Sequence, residues 1–116
     1  METIIYLNPL CSKCRQALSL LQGKGISPRV VEYLRTPPTR EEIVELLAML
    51  GVEPRELMRR KEAEYEENHL DDPARTREEL IEALVRFPGL LERPVVVHKG
   101  RAIIGRPPER VLDLVG

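Results

Sequence analysis

The stretch Thr3-Ile4-Ile5-Tyr6-Leu7-Asn8-Pro9-Leu10-Cys11-Ser12-Lys13-Cys14-Arg15-Gln16-Ala17-Leu18-Ser19-Leu20-Leu21 decides how the chain folds. Its first five residues are β-branched, aromatic or aliphatic, and Asn8-Pro9 stops them because proline cannot donate to a sheet ladder. Thr3 to Leu7 therefore reads as a strand. From Ser12 the apolar period becomes helical: Cys14, Ala17, Leu18 and Leu21 share one face until Gly23 and Gly25 end the run. The two cysteines thus fall at a strand-to-helix turn. Arg29 to Leu34 reads as a second strand, and roughly 20 intervening residues suffice for a right-handed crossover that makes the two strands parallel.

Outward from this βαβ unit the chain turns helical. Thr36-Pro37-Pro38-Thr39 is a stiff connector, and Thr39 with Glu41 and Glu42 reads as an N-cap with acids in the first turn of a helix over Arg40 to Leu50, ended by Gly51. Pro54 opens a short helix through Met58. Arg59 to Asp72 is highly charged without a clear period and reads as an exposed loop or a frayed helix. Thr76 and Glu79 have capping-box spacing for a helix that carries Leu80, Ile81, Leu84 and Val85 inward, up to Phe87-Pro88-Gly89. Pro94 to His98 and Ala102 to Gly105 are apolar runs around Lys99-Gly100-Arg101, the pattern of a tight antiparallel hairpin. Pro107-Pro108 then opens a last helix through Val111, Leu112 and Leu114. The order βαβ, helices, ββα describes one α/β domain over 1–116, with a helical insertion at about 39–88 and no internal repeat.

Composition narrows the partners. At 116 residues, with 42% hydrophobic and 32% charged side chains, the chain is a globular one. Its 18 basic and 19 acidic residues leave a net charge of -1 and no broad basic field, so neither nucleic acid nor a membrane surface is expected as a direct partner. Met1-Glu2-Thr3-Ile4-Ile5-Tyr6 is not a secretory leader and no apolar run approaches about 18 residues, so the expected location is the cytoplasm. In that reducing compartment, a lone pair of cysteines three apart points to redox chemistry more than to a structural cross-link.

Cysteine reacts as thiolate, and an ordinary thiol with pKa near about 8.5 must be helped to ionise at neutral pH. At the helix start Cys11 meets unpaired backbone N–H groups and the positive end of the helix dipole, with Lys13 and Arg15 adding charge nearby. It reads as the nucleophile. Cys14 lies on the apolar face, where two readings stand: a resolving thiol that forms a disulfide with Cys11, or a small apolar core residue. A disulfide requires Cys11 to be the non-helical cap, since two helical positions three apart hold their Cβ atoms too far apart, at about 5–6 Å. His69 and His98 lack metal-ligand spacing, so no metal is expected. Fourteen arginines against four lysines give no way to select one from charge alone. A thiolate that attacks an oxyanion nevertheless needs guanidinium groups to neutralise its substrate.

Tyr6-Leu7-Asn8-Pro9-Leu10-Cys11, Tyr33-Leu34-Arg35-Thr36-Pro37-Pro38, Leu57-Met58-Arg59-Arg60 followed by Tyr65, Glu92-Arg93-Pro94-Val95-Val96-Val97 and Gly105-Arg106-Pro107-Pro108 form five ordered blocks. Through them the chain resembles the ArsC-type arsenate reductases, with the Spx regulators as cousins, over nearly its full length. The resemblance implies a thioredoxin-like fold with a mixed four-stranded sheet. It implies that Cys11 is the nucleophile, that Arg59, Arg93 and Arg106 line the oxyanion pocket, and that Arg93-Pro94 is a cis peptide opposite Cys11. The implied reaction is reduction of arsenate, or a similar small oxyanion, through a cysteinyl arsenate on Cys11. No bound cofactor is implied. Reducing equivalents come from glutathione with glutaredoxin or from thioredoxin, and Cys14 is an internal alternative. Some reductases of this family carry histidine where Leu7 stands, so activation here falls to the helix end and the arginines. Two other functions fit the cysteine pair: a general thiol-disulfide oxidoreductase, and an Spx-like redox-sensing regulator that contacts RNA polymerase.

Overall fold

The computed structural model describes residues 2–115, so Met1 and Gly116, the ends of the expected 1–116 domain, lie outside the described residues. In chain order the elements are β1 (Thr3–Leu7), α1 (Ser12–Gly23), β2 (Arg29–Glu32), α2 (Arg40–Leu50), α3 (Ala63–Glu67), α4 (Arg77–Arg86), β3 (Val95–His98), β4 (Arg101–Ile104) and α5 (Val111–Val115). Short 3-10 turns cover Pro54–Leu57, Pro88–Leu90 and Pro108–Arg110. Among these residues no helix is long and apolar enough to cross a membrane. They form two compact units, one of Met1–Thr36 with Arg93–Gly116 and one of Pro37–Glu92.

The first unit is a mixed four-stranded sheet in the order β2-β1-β3-β4. β1 runs parallel to β2, with Leu7 opposite Glu32, and antiparallel to β3, with Tyr6 opposite Val95. β3 and β4 form the hairpin, with Val95 opposite Ile104. This register brings the ends of β1, β2 and β4 and the start of β3 to one edge of the sheet. Alternation along the strands sends Ile5, Leu7 and Val96 to a single face, where they pack with Cys14, Ala17 and Leu21 of α1 and Val111 and Leu114 of α5. Each fully buried Leu, Ile or Val in that cluster contributes about 1.5–3 kcal/mol.

Several boundaries differ from the sequence expectation, among them the start of β3, which is Val95 and not Pro94. β2 stops at Glu32 and not at Leu34, because the amides of Arg35 and Thr36 both return to the Glu32 carbonyl at 2.9 Å and close a turn. Tyr33 therefore leaves the strand. The hairpin turn is Lys99-Gly100 alone, with φ of 52° and 76°, the left-handed pair that suits a two-residue turn, so Arg101 is a strand residue. Gly105 falls just past β4. Arg93-Pro94 is cis, as the resemblance implies, and so is Arg106-Pro107.

In the second unit, Thr39 and Thr76 close capping boxes. Each hydroxyl accepts from the amide of Glu42 or Glu79, and each threonine amide donates back to that glutamate. α2 and α4 pack together through Ile43, Leu46 and Leu47 on one side and Leu80, Ile81, Ala83 and Leu84 on the other. Ala83 takes the inward place expected for Val85, which is half-buried, because the buried stripe follows the spacing 80, 83, 84. The charged stretch Arg59 to Asp72 is more ordered than a loop. It contains α3 and buries Tyr65 and Leu70. Arg55 donates to the carbonyls of Leu70 and Asp72 at 2.8 and 2.7 Å, and Arg75 to that of Asn68 at 2.6 Å. Charge-assisted bonds from outside the stretch supply the order that its own short pattern does not.

Candidate active site

Cys11 is the N-cap of α1, with extended φ and ψ of -89° and 120°. Its amide donates to the Asn8 carbonyl at 3.0 Å, and the Leu10 amide donates to the Asn8 side chain at 3.0 Å. Asn8 thus fixes the turn that carries the chain from β1 into the helix. Arg15, from the first turn, donates to the Pro9 carbonyl at 3.0 Å. Cys11 is half-buried, Cys14 one turn on is fully buried in the core, and both are free thiols. The extended cap conformation is the one a Cys11–Cys14 disulfide requires.

The two thiols ionise very differently. Partial burial opposes the Cys11 thiolate, but hydrogen bonds from the Cys14 amide, the Arg93 guanidinium, the Cys14 thiol and the Lys13 amide outweigh it and bring its pKa down to about 7. As a thiol Cys11 closes no conventional cap; as a thiolate it takes the place of the capping oxygen. Burial pushes Cys14 up to about 11, opposed by the Asn8 amide and reinforced by its hydrogen bond to Cys11 and that group's charge.

Arg93 and Arg106 enter from the opposite half of this unit. Arg93 precedes β3, and its sequence neighbour Pro94 follows the cis bond. Its guanidinium is held in the charged form: burial works against the charge, while contacts with Cys11 and Tyr33 more than offset it. Arg93 Nε is buried with no hydrogen-bond partner among the described residues. Arg106 donates from Nε to the Arg93 carbonyl at 2.7 Å and from Nη2 to the Cys11 sulfur at 3.6 Å. The first bond is short and anchors the side chain; the second is long, as sulfur acceptors are. Arg106 reaches this place because Gly105 lets the chain pass Pro94 closely. A Cβ at Gly105 would stand 2.9 Å from Pro94 Cγ and 3.0 Å from Val111 Cγ1, and the Gly105 amide donates to the Pro94 carbonyl at 2.8 Å.

The structure therefore brings Cys11, Cys14, Arg93, Arg106 and Pro94 to one end of the first unit. Arg59 belongs to the second unit, where its Nε pairs with Glu62 at 3.1 Å and its amide donates to the Leu90 carbonyl at 2.7 Å. His98 shares a 2.7 Å hydrogen bond with Thr3, and His69 is exposed. Sequence reasoning did not select Tyr33 or Asn8 as site residues. In the sequence Asn8 before proline marks the end of a strand and Tyr33 falls inside the expected second strand, so neither carries a local signal of a site.

The geometry has counterparts among known proteins. The ArsC family model matches residues 6–114. The YfgD protein of Escherichia coli strain K12 is 51% identical over 97% of this chain and 95% of its own length. An arsenate reductase of Neisseria meningitidis serogroup B is 44% identical over 95% of each chain. The solved structure of an arsenate reductase from Vibrio cholerae superposes with a TM-score of 0.94 at 46% identity, covering 97% of both chains. A mixed sheet of thioredoxin-like order, a cysteine at its first strand-to-helix turn and a family match over residues 6–114 lead to one assignment: the chain belongs to the ArsC family.

Proposed function

We propose that this protein reduces arsenate to arsenite, with Cys11 as nucleophile and Cys14 as the thiol that resolves its adduct. The carrying observation is Arg106 Nη2 at 3.6 Å from a Cys11 sulfur whose pKa is lowered to about 7, with the Arg93 guanidinium among the groups that lower it. That is an arrangement for a small tetrahedral anion. The unpartnered Arg93 Nε is a further donor that such an anion satisfies. The name carried by relatives at 44% identity supports arsenate as that anion. Arg59 is a third candidate ligand, and its role rests on the family resemblance alone.

In the first step the Cys11 sulfur forms a bond to arsenic and a hydroxide leaves, taking up a proton as water. The arginines offset the charge of the arsenate oxygens. In the second, Cys14 attacks the Cys11 sulfur, the S–As bond breaks, and arsenic keeps the electron pair and departs as arsenite. Two thiols become one disulfide while As(V) becomes As(III). Two contributions that raise the Cys14 pKa, its hydrogen bond to Cys11 and the charge of Cys11, vanish once the Cys11 thiolate is consumed. Resolution thus becomes easier after the first step. The disulfide returns to two thiols at the expense of glutathione with glutaredoxin, or of thioredoxin, in the cytoplasm.

The test is arsenite formation from arsenate with each reducing system, for wild type, Cys11→Ser and Cys14→Ser. Arsenite from wild type and none from Cys11→Ser supports the proposal. No arsenite in any system contradicts it, and protein-disulfide reduction in its place would identify a general thiol oxidoreductase.

A further inference from the structure

We propose that the turn ahead of Cys11, with Leu10 exposed on it, is where a dithiol protein docks to reduce the Cys11–Cys14 disulfide, and that this partner carries an apolar recess and an acidic rim beside its attacking cysteine. The inference names the partner class of the proposed function and rests on that reading for the disulfide itself.

Leu10 is 86% exposed, whereas the next most exposed large apolar side chain among the described residues, Leu34, is at 49%. A single leucine in water is ordinary on a protein surface. This one is held there. The Leu10 amide donates to the Asn8 side chain at 3.0 Å, the Cys11 amide to the Asn8 carbonyl at 3.0 Å, and Arg15 Nη1 to the Pro9 carbonyl at 3.0 Å. The ring of Pro9 fixes φ at that position as well. A backbone pinned on both sides of Leu10 keeps an apolar side chain in solvent one residue before the nucleophile, with little freedom left to lose on binding.

Access to the sulfur selects what lies over that leucine. Cys14 is 0% exposed and Cys11 is half-buried, so an external thiol attacks the disulfide at Cys11. The residues around it in the chain, Leu10, Ser12 and Lys13, are all exposed. A protein that brings its own sulfur to bonding distance of Cys11 therefore covers Leu10, while a small thiol needs no contact with it. Charge gives the other half of the match. None of the chain's 19 acidic residues lies between Glu2 and Glu32. The exposed Lys13 and Arg15 have no ion-pair partner among the described residues. A basic, acid-free segment around one apolar side chain favours a partner that is acidic around an apolar recess.

The exchange balances without a further reactant. The partner's thiolate attacks Cys11 Sγ, the Cys11–Cys14 bond breaks, and Cys14 leaves with the electron pair and takes up a proton. The partner's second thiol then gives up its proton and attacks its own bridged sulfur. Cys11 leaves as thiolate, and the partner departs as a disulfide, having supplied two electrons.

The test compares protein and small-molecule reductants on the same oxidised protein, with no arsenate present. Diamide-oxidised wild type, Leu10→Ser and Leu10→Met are each treated with pre-reduced thioredoxin, pre-reduced glutaredoxin or dithiothreitol, and returning thiols are assigned by peptide mass spectrometry. Leu10→Ser is expected to lower the second-order rate with the protein reductants about ten- to a hundredfold, the worth of one buried leucine, and to leave the dithiothreitol rate within about twofold. Leu10→Met, which keeps the apolar bulk, should retain most of the protein-driven rate. At about 1 M salt, where charges are screened beyond about 3 Å, the protein-driven rate should fall severalfold more than the dithiothreitol rate. A protein-driven rate unmoved by Leu10→Ser or by salt, an equal loss with dithiothreitol, or a wild type that neither protein reduces overturns the proposal. If diamide yields no Cys11–Cys14 disulfide, the resolving role of Cys14 fails. The same comparison is then made on Cys11 carried as a mixed disulfide with glutathione in Cys14→Ser, where the same outcomes decide the docking.

Discussion

Arg106 Nε donates to the main-chain oxygen of Arg93 at 2.7 Å, so the backbone of one arginine fixes the other beside Cys11. A lysine cannot reproduce this, because its single ammonium cannot hold the carbonyl and face the sulfur as a planar fork does. Arg106→Ala is expected to lower kcat/KM for arsenite formation by about 100-fold or more, the scale of losing one preorganised anion donor, and Arg106→Lys to recover only part of it. Steady-state kinetics over a range of arsenate concentrations checks both.

Gly105 permits that placement by its lack of a side chain. In Gly105→Ala a methyl would meet Pro94 Cγ at 2.9 Å and Val111 Cγ1 at 3.0 Å, and a proline ring next to β3 has little room to yield. The expected destabilisation is about 1–3 kcal/mol, the usual cost of overpacking, measured by urea denaturation. Cys11 alkylation should slow as well, because Arg106 follows Gly105 directly.

The pH dependence follows from two opposite shifts. Cys11 has a folded-state pKa of about 7, lowered from its unfolded value. Its thiolate therefore stabilises the fold fully above the unfolded value, and that contribution is lost as pH falls through about 7. Cys14 is raised to about 11, so its neutral form stabilises fully below the unfolded value and the contribution is lost as pH rises through about 11. Alkylation mapped by mass spectrometry should show Cys11 reacting with a midpoint near 7 and Cys14 protected throughout the neutral range. The stability of wild type should rise from pH 6 to pH 9 more than that of Cys11→Ser.

The capping boxes of the second unit offer a test separate from the chemistry. Thr39→Ala and Thr76→Ala each remove a hydroxyl that accepts from the third amide of its helix, and each should cost about 1 kcal/mol in urea denaturation. Thr→Ser at the same positions should restore most of it.

Much of this was legible in the sequence where one local rule sufficed. The limits of β1, α1 and α2, the two threonine caps and the buried place of Cys14 follow from period, cap and breaker residues. Tyr33 was legible only as part of a motif, because its exit from β2 depends on where the Arg35 and Thr36 amides turn back. α3 was illegible because arginines outside it hold the chain around it. At the site, Cys11 could be chosen from its turn, since the helix end acts within a few residues. Arg93 and Arg106 could not, because their convergence on Cys11 is made by strand order and by the space that Gly105 leaves. For those two the positions come from the family resemblance, and the approach of Arg106 to the sulfur is visible only in three dimensions.

In the proposed reaction Cys11 and Cys14 together carry both electrons to arsenate. A single turnover measures it most directly: fully reduced protein mixed with arsenate in the absence of any external thiol, with arsenite and free thiols quantified together. Stoichiometric arsenite is expected from wild type, with loss of both thiols to a Cys11–Cys14 disulfide identified by peptide mapping, and no arsenite from Cys14→Ser until glutathione is added. Arsenite absent from wild type, or released equally by Cys14→Ser without added thiol, would contradict it.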